Sequence, residues 1–102
     1  MELKVSQSGS RTVFEVQGDI DERGAETLKN HFKQLPLTTV KELVIDLGKV
    51  NHIGSSGIGK LLLFYKNLGM HGGTITIANV SDAIYQLLTE LKLNSIFTIT
   101  KR

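Results

Sequence analysis

The sequence predicts an α/β fold, a mixed sheet of about five strands with helices packed against it, and three observations carry that expectation. Apolar residues switch repeatedly between a two-residue and a 3.6-residue period, the marks of alternating strands and helices. Leu43-Val44-Ile45-Asp46-Leu47 is a nearly continuous apolar run, the pattern of a strand buried on both faces. The length, 102 residues with 40% hydrophobic and 22% charged side chains, suits one globular domain over residues 1–102 whose core needs no disulfide.

The elements follow in order. Leu3 and Val5, then Val13, Phe14 and Val16, mark two short strands joined by the polar turn Ser8-Gly9-Ser10. Gly18 ends the second strand. Asp21 is placed to N-cap a helix, with Glu22 in the first turn where negative charge suits the helix dipole. Ala25, Leu28, Phe32 and Leu35 fall on one helical face, and Pro36 stops that helix. After the apolar strand, seven of the ten glycines lie between Gly48 and Gly73, so backbone conformation matters most there. Within that stretch Ile58, Leu61, Leu62, Tyr65 and Leu68 mark a second helix, with Gly69 as its C-terminal cap. Thr74 to Ala78 alternates as a strand. Ser81 caps a third helix carrying Ala83, Ile84, Leu87, Leu88 and Leu91, and Ile96-Phe97-Thr98-Ile99 reads as a last strand. Strands separated by helices favour parallel pairing with right-handed crossovers, while the first two form a hairpin.

Composition excludes several functions. The absence of cysteine removes a disulfide scaffold, a thiol nucleophile and any cysteine-based zinc site. No stretch approaches 18 apolar residues, so membrane insertion is not expected. Met1 to Gln7 lacks the apolar core of a signal peptide, which places the expected compartment in the cytoplasm. Lys and Arg number 12 against 10 Asp and Glu, scattered from Lys4 to Arg102. Nucleic-acid binding calls for a basic stripe with interleaved aromatics, and the four Phe and two Tyr are spread over the whole chain. No nucleic-acid partner is expected.

Everything chemically suggestive converges on Asn51-His52-Ile53-Gly54-Ser55-Ser56-Gly57-Ile58-Gly59-Lys60, between the apolar strand and the second helix. In open α/β sheets, function gathers at the carboxyl ends of strands. Ser55 and Ser56 fall at the helix N-terminus, where unpaired N–H groups and the dipole favour an anion. Plain capping by serine, with Gly57 and Gly59 allowing close packing of helix on sheet, explains the same residues equally well.

Catalytic patterns fail by spacing. Gly54 to Lys60 matches part of a phosphate-binding P-loop, but Leu61 stands where Ser or Thr would hold magnesium, and Ile58 and Leu61 are needed for the apolar helix face. A nucleotide is therefore a distant alternative. Gly54-Ser55-Ser56-Gly57 lacks the spacing of a nucleophile elbow, and His31, His52 and His71 lack metal-ligand spacing. Asp46 is either a buried acid or a side chain bonding the adjoining turn. These residues assemble no enzyme, and no metal or cofactor is expected.

Taken together, the motifs resemble the STAS domain, and within it the stand-alone anti-sigma-factor antagonists (anti-anti-sigma factors) of bacteria. The resemblance runs from Val13 to Phe97. It rests on Gly18-Asp19-Ile20-Asp21, Ala25-Glu26-Thr27-Leu28, the strand Leu43 to Leu47, Ile53-Gly54-Ser55-Ser56-Gly57-Ile58-Gly59, and Gly72-Gly73 before the fourth strand.

That resemblance implies a phosphorylation switch. It assigns phosphorylation to Ser55, the first serine of the Ser-Ser-Gly motif, by an anti-sigma factor that is a serine kinase, with reversal by a PP2C-type phosphatase. The unphosphorylated form would bind the anti-sigma factor and free the sigma factor. Asp21 matches the acidic residue beside the phosphorylation site, and the surrounding loop and second helix match the partner surface, with Asp21, Gly54, Ser55, Ser56, Gly57 and Ile58 as its expected binding residues. Two features depart from the family: Gly54 replaces its usual Asp, and many members continue past the fifth strand into another helix, so one sheet face is expected to be less covered. The alternative function is a non-switching STAS subunit of a larger complex, such as a lipid-transport ATPase.

Overall fold

A computed structural model describes all 102 residues. The chain runs β1 (Glu2–Ser8), β2 (Arg11–Gln17), α1 (Glu22–Lys33), β3 (Glu42–Lys49), α2 (Ser55–Gly69), β4 (Thr74–Val80), α3 (Asp82–Glu90), a short 3-10 turn (Leu93–Ser95) and β5 (Thr98–Lys101). The five strands lie in sequence order; β1 is antiparallel to β2 and the remaining pairs are parallel. A sheet that grows in one direction through crossovers of one hand places all its helices on one face.

That is where the core sits. Phe14 and Val16 of β2, Leu43, Ile45 and Leu47 of β3, and Ile75 and Ile77 of β4 form one cluster with Leu28 and Phe32 of α1, Leu61, Phe64 and Leu68 of α2, and Ile84 and Leu88 of α3. Val44, between two core residues, is buried but outside this cluster, on the opposite face of the sheet. Helices therefore cover β3 on one side only. The burial on both faces expected from the apolar run is present at Val44 without a second layer of helices, while Asp46 on the same face is half-exposed. The less covered face is thus present.

Local signals account for most element ends. Gly9, at φ +61°, makes the hairpin turn possible. Asp21 caps α1 by accepting the Gly24 N–H at 2.8 Å, and Ser81 caps α3 by accepting the Ile84 N–H at 3.2 Å. Three expectations need correction. Gly69 remains inside α2, and the left-handed residue that follows is Gly72, at φ +80°. On α2 the buried face is Gly57, Leu61, Phe64 and Leu68, while Leu62 and Tyr65 are exposed. Phe97 is buried ahead of β5, which begins at Thr98 because the 3-10 turn takes up the preceding chain.

One core side chain is unsatisfied. Thr12 is fully buried on β2, opposite Leu43, and its hydroxyl has no hydrogen-bond partner. Thr12→Val is expected to raise stability by about 1 kcal/mol, since it removes a buried unpaired polar group at constant shape. Urea unfolding measures this; a lower midpoint would mean that the hydroxyl is bonded in solution.

Candidate functional site

The loops after β2 and β3 are stitched together at the carboxyl ends of their strands. The Gly18 N–H donates to Lys49 O at 3.1 Å, the Ile20 N–H to His52 O at 2.9 Å, and the Gly54 N–H to Ile20 O at 2.9 Å. Ile20 and Ile53 form an isolated parallel bridge, and both side chains are buried. This clamp brings the N-termini of α1 and α2 side by side. Between them lies an open hollow of about 240 Å³ lined by Ile20, Asp21, Glu22, His52, Gly54, Ser55 and Ser56.

The two helix starts differ electrostatically. At α1 the Asp21 carboxylate occupies the cap, and the Gly24 N–H holds its pKa below the usual carboxylate range. At α2 the cap residue is Gly54, extended at φ −87° and ψ 177°, and no side chain caps the helix. The first turn closes only when the Ile58 N–H reaches Gly54 O at 3.1 Å. Ser55 is the first helical residue and is exposed, whereas Ser56 is half-buried. An anion carried on Ser55 would therefore meet a positive helix end with free donors.

Gly57 lies underneath. A Cβ there would come within 2.7 Å of Ile53 Cγ1 and 2.8 Å of Ile20 Cγ2. Gly59 is different: it has open space around it, so only Gly57 serves close packing. Helix begins directly at Ser55, which leaves no phosphate-wrapping loop between Gly54 and Lys60. Lys60 instead pairs with Glu26 of α1 at 3.7 Å.

Of the six residues singled out from sequence, Asp21, Gly54, Ser55 and Ser56 line the hollow. Gly57 is buried beneath it and Ile58 is half-buried against the core. Sequence reasoning missed Glu22 as a neighbour of Ser55, because the two loops meet only through the Ile20–Ile53 clamp, and gave His52, inside the candidate segment, no role at the site. The second helix, which the resemblance assigns to the partner surface, presents an exposed face. Ser55, Gly59, Leu62, Leu63, Lys66 and Met70 are all exposed, at the spacing of one helical face, with Leu62 and Leu63 each 39% and Met70 75% exposed. Which residues of the helix face outward was not legible, because Leu61 to Tyr65 is apolar throughout. The other candidates lie elsewhere: Asp46 Oδ1 accepts the Gly48 N–H at 2.9 Å, and the His31 and His71 rings each contact the carbonyl one turn earlier.

Comparison with known proteins agrees with this architecture. An anti-sigma factor antagonist from Mycobacterium paratuberculosis superposes with a TM-score of 0.85 at 25% identity, over 99% of this chain and 86% of that one. The Bacillus cell fate determinant SpoIIAA, in its phosphorylated form, gives 0.78 at 15% identity, over 96% and 90%. A STAS-domain-containing protein of Pseudomonas aeruginosa (strain UCBPP-PA14) is 24% identical over 93% of each chain. A further fold match, with Mglu, spans only 18% of that longer chain. A sequence model of the STAS domain matches residues 2–102, and the chain belongs to that family.

Proposed function

We propose that this protein is an anti-sigma factor antagonist that binds an anti-sigma serine kinase through the exposed face of α2 and is switched off by phosphorylation of Ser55. The observation that carries this reading is the junction at Ser55: an exposed hydroxyl on an uncapped helix end, heading an exposed apolar stripe. A phosphoryl group there adds about −1.5 to −2 charges. The donors of α2 accommodate that charge internally, so the fold survives. The same charge at the head of an apolar docking face must be desolvated against the partner, so binding is lost. Asp21, Gly54, Ser56 and Ile58 frame the contact, while Gly57 acts from beneath. A PP2C-type phosphatase restores the binding form. In this reading the protein is a binding module and not an enzyme, working in the cytoplasm where transcription takes place. No helix is long and apolar enough to cross a membrane.

Gly54 in place of the family's usual Asp is compatible with the switch. A carboxylate at that cap would compete for the donors that receive the phosphate and set like charges together, at a cost of a few tenths to about 1 kcal/mol in an exposed site. Incubation with the cognate kinase and ATP, followed by mass spectrometry, is expected to place phosphate on Ser55 and not on half-buried Ser56. Ser55→Ala should bind the kinase constitutively. Ser55→Asp should bind at least about tenfold more weakly, near 1.4 kcal/mol, with unchanged circular dichroism. Phosphate on Ser56, or equal affinity of all three proteins, would refute the switch and favour a non-switching subunit of a larger complex.

A further inference from the structure

The two edges of the sheet are built differently. β5 is four residues long, and its register with β4 breaks between Ile77 and Val80, which blunts that edge. β1 is seven residues long, pairs with β2 without a bulge, contains no proline, and leaves its outer side open. An open, regular edge is a template for another strand unless it is protected. Lys4 is the only basic residue on it.

The side chains of β1 sort cleanly by face. Leu3 and Val5 stand opposite Val16 and Phe14, on the core side. Leu3 is half-buried against the core, Val5 is 46% exposed and Met1 38%. Glu2 and Lys4 project from the opposite, helix-free face and are exposed.

We propose that β1 pairs antiparallel with β1 of a second copy of this chain, about a two-fold axis at Leu3. This register sets Leu3 against Leu3 and Val5 against Met1 twice on the core side. On the other side it sets Glu2 against Lys4 twice. Opposite charges and apolar pairs directly across a ladder are favourable, and like charges are not. Moving the axis to Lys4 puts Lys4 against Lys4, and moving it to Val5 puts Leu3 against Gln7, so the chosen register alone matches both faces. The contact is isologous and closes at two copies, joining two five-stranded sheets edge to edge. It uses neither Ser55 nor the exposed face of α2, and it stands independently of the proposed switch.

Sedimentation equilibrium of the full chain tests this, with circular dichroism to verify folding. The dimer fraction should rise with concentration. Lys4→Glu, which faces Glu2 of the second copy with a like charge, should weaken association at least about tenfold, and Glu2→Lys should do the same. The double variant Glu2→Lys/Lys4→Glu should restore it to within about threefold of the parent. The chain has no cysteine, so oxidation of Leu3→Cys should give a disulfide-linked dimer. Val5→Cys should not, because its two copies lie about 13 Å apart along the ladder, beyond a disulfide's reach. A monomer at every concentration would overturn the proposal and leave the edge to an extended segment of another protein. Failure of the charge swap to restore pairing, or crosslinking through Val5→Cys instead, would also overturn it.

Discussion

Phe64→Ala is expected to cost about 3–5 kcal/mol, whereas Leu62→Ala, two positions earlier, should cost less than about 1 kcal/mol. Two positions turn about 200° around a helix, so the pair samples opposite faces of α2. Phe64 is fully buried, and its ring stacks on Phe32 of α1 at 4.2 Å between centroids and 12° between planes. Truncation removes transfer energy, leaves a cavity and breaks an aromatic pair linking the two helices. A domain of this size has about 5–15 kcal/mol in all, so the variant should fold with a thin margin. Leu62 should behave the other way around, with little loss of stability but weaker binding of the anti-sigma partner. Urea midpoints at constant slope separate the two variants. Similar costs at both positions would mean that α2 is rotated about its axis from the orientation described.

The pair also marks how far this sequence can be read. Where the deciding signal lies within a few residues, the element is legible: Asp21 and Ser81 as side-chain caps, Gly9 at positive φ in the hairpin turn, and the start of α2 after the Gly54 turn. Leu61 to Tyr65 is apolar throughout, so periodicity cannot say which side of α2 is buried, and it puts Leu62 and Tyr65 on the wrong one. Tertiary packing against Phe32 decides it. The run Leu43 to Leu47 reads as buried on both faces, and Val44 is, yet sequential strand order puts all three helices on one face, which the run alone does not reveal. Ser55 and its glycine neighbours are legible because the anomaly is local. Glu22 is not, since its approach to Ser55 depends on the long-range bridge between Ile20 and Ile53.

That bridge underlies the second large effect. Gly57→Ala is expected to destabilise the protein by about 1–2 kcal/mol, although Ala is the better helix former by up to about 1 kcal/mol. The added methyl group would strike Cγ atoms of Ile20 and Ile53, both buried side chains. Overpacking of this kind costs about 1–3 kcal/mol and outweighs the gain in propensity. Gly59→Ala is the internal control. Nothing lies within 4 Å of the place its methyl group would take, so propensity should act alone and stabilise by about 0.5–1 kcal/mol. The opposite signs, measured by thermal or urea unfolding, separate the two glycines of the motif. The destabilised variant should also lift the first turn of α2 from its floor and displace Ser55, so phosphorylation should slow in Gly57→Ala and persist in Gly59→Ala. If Gly57→Ala instead proves more stable than the parent, the isoleucine floor yields, and the close approach of α2 to the Ile20–Ile53 clamp does not position Ser55.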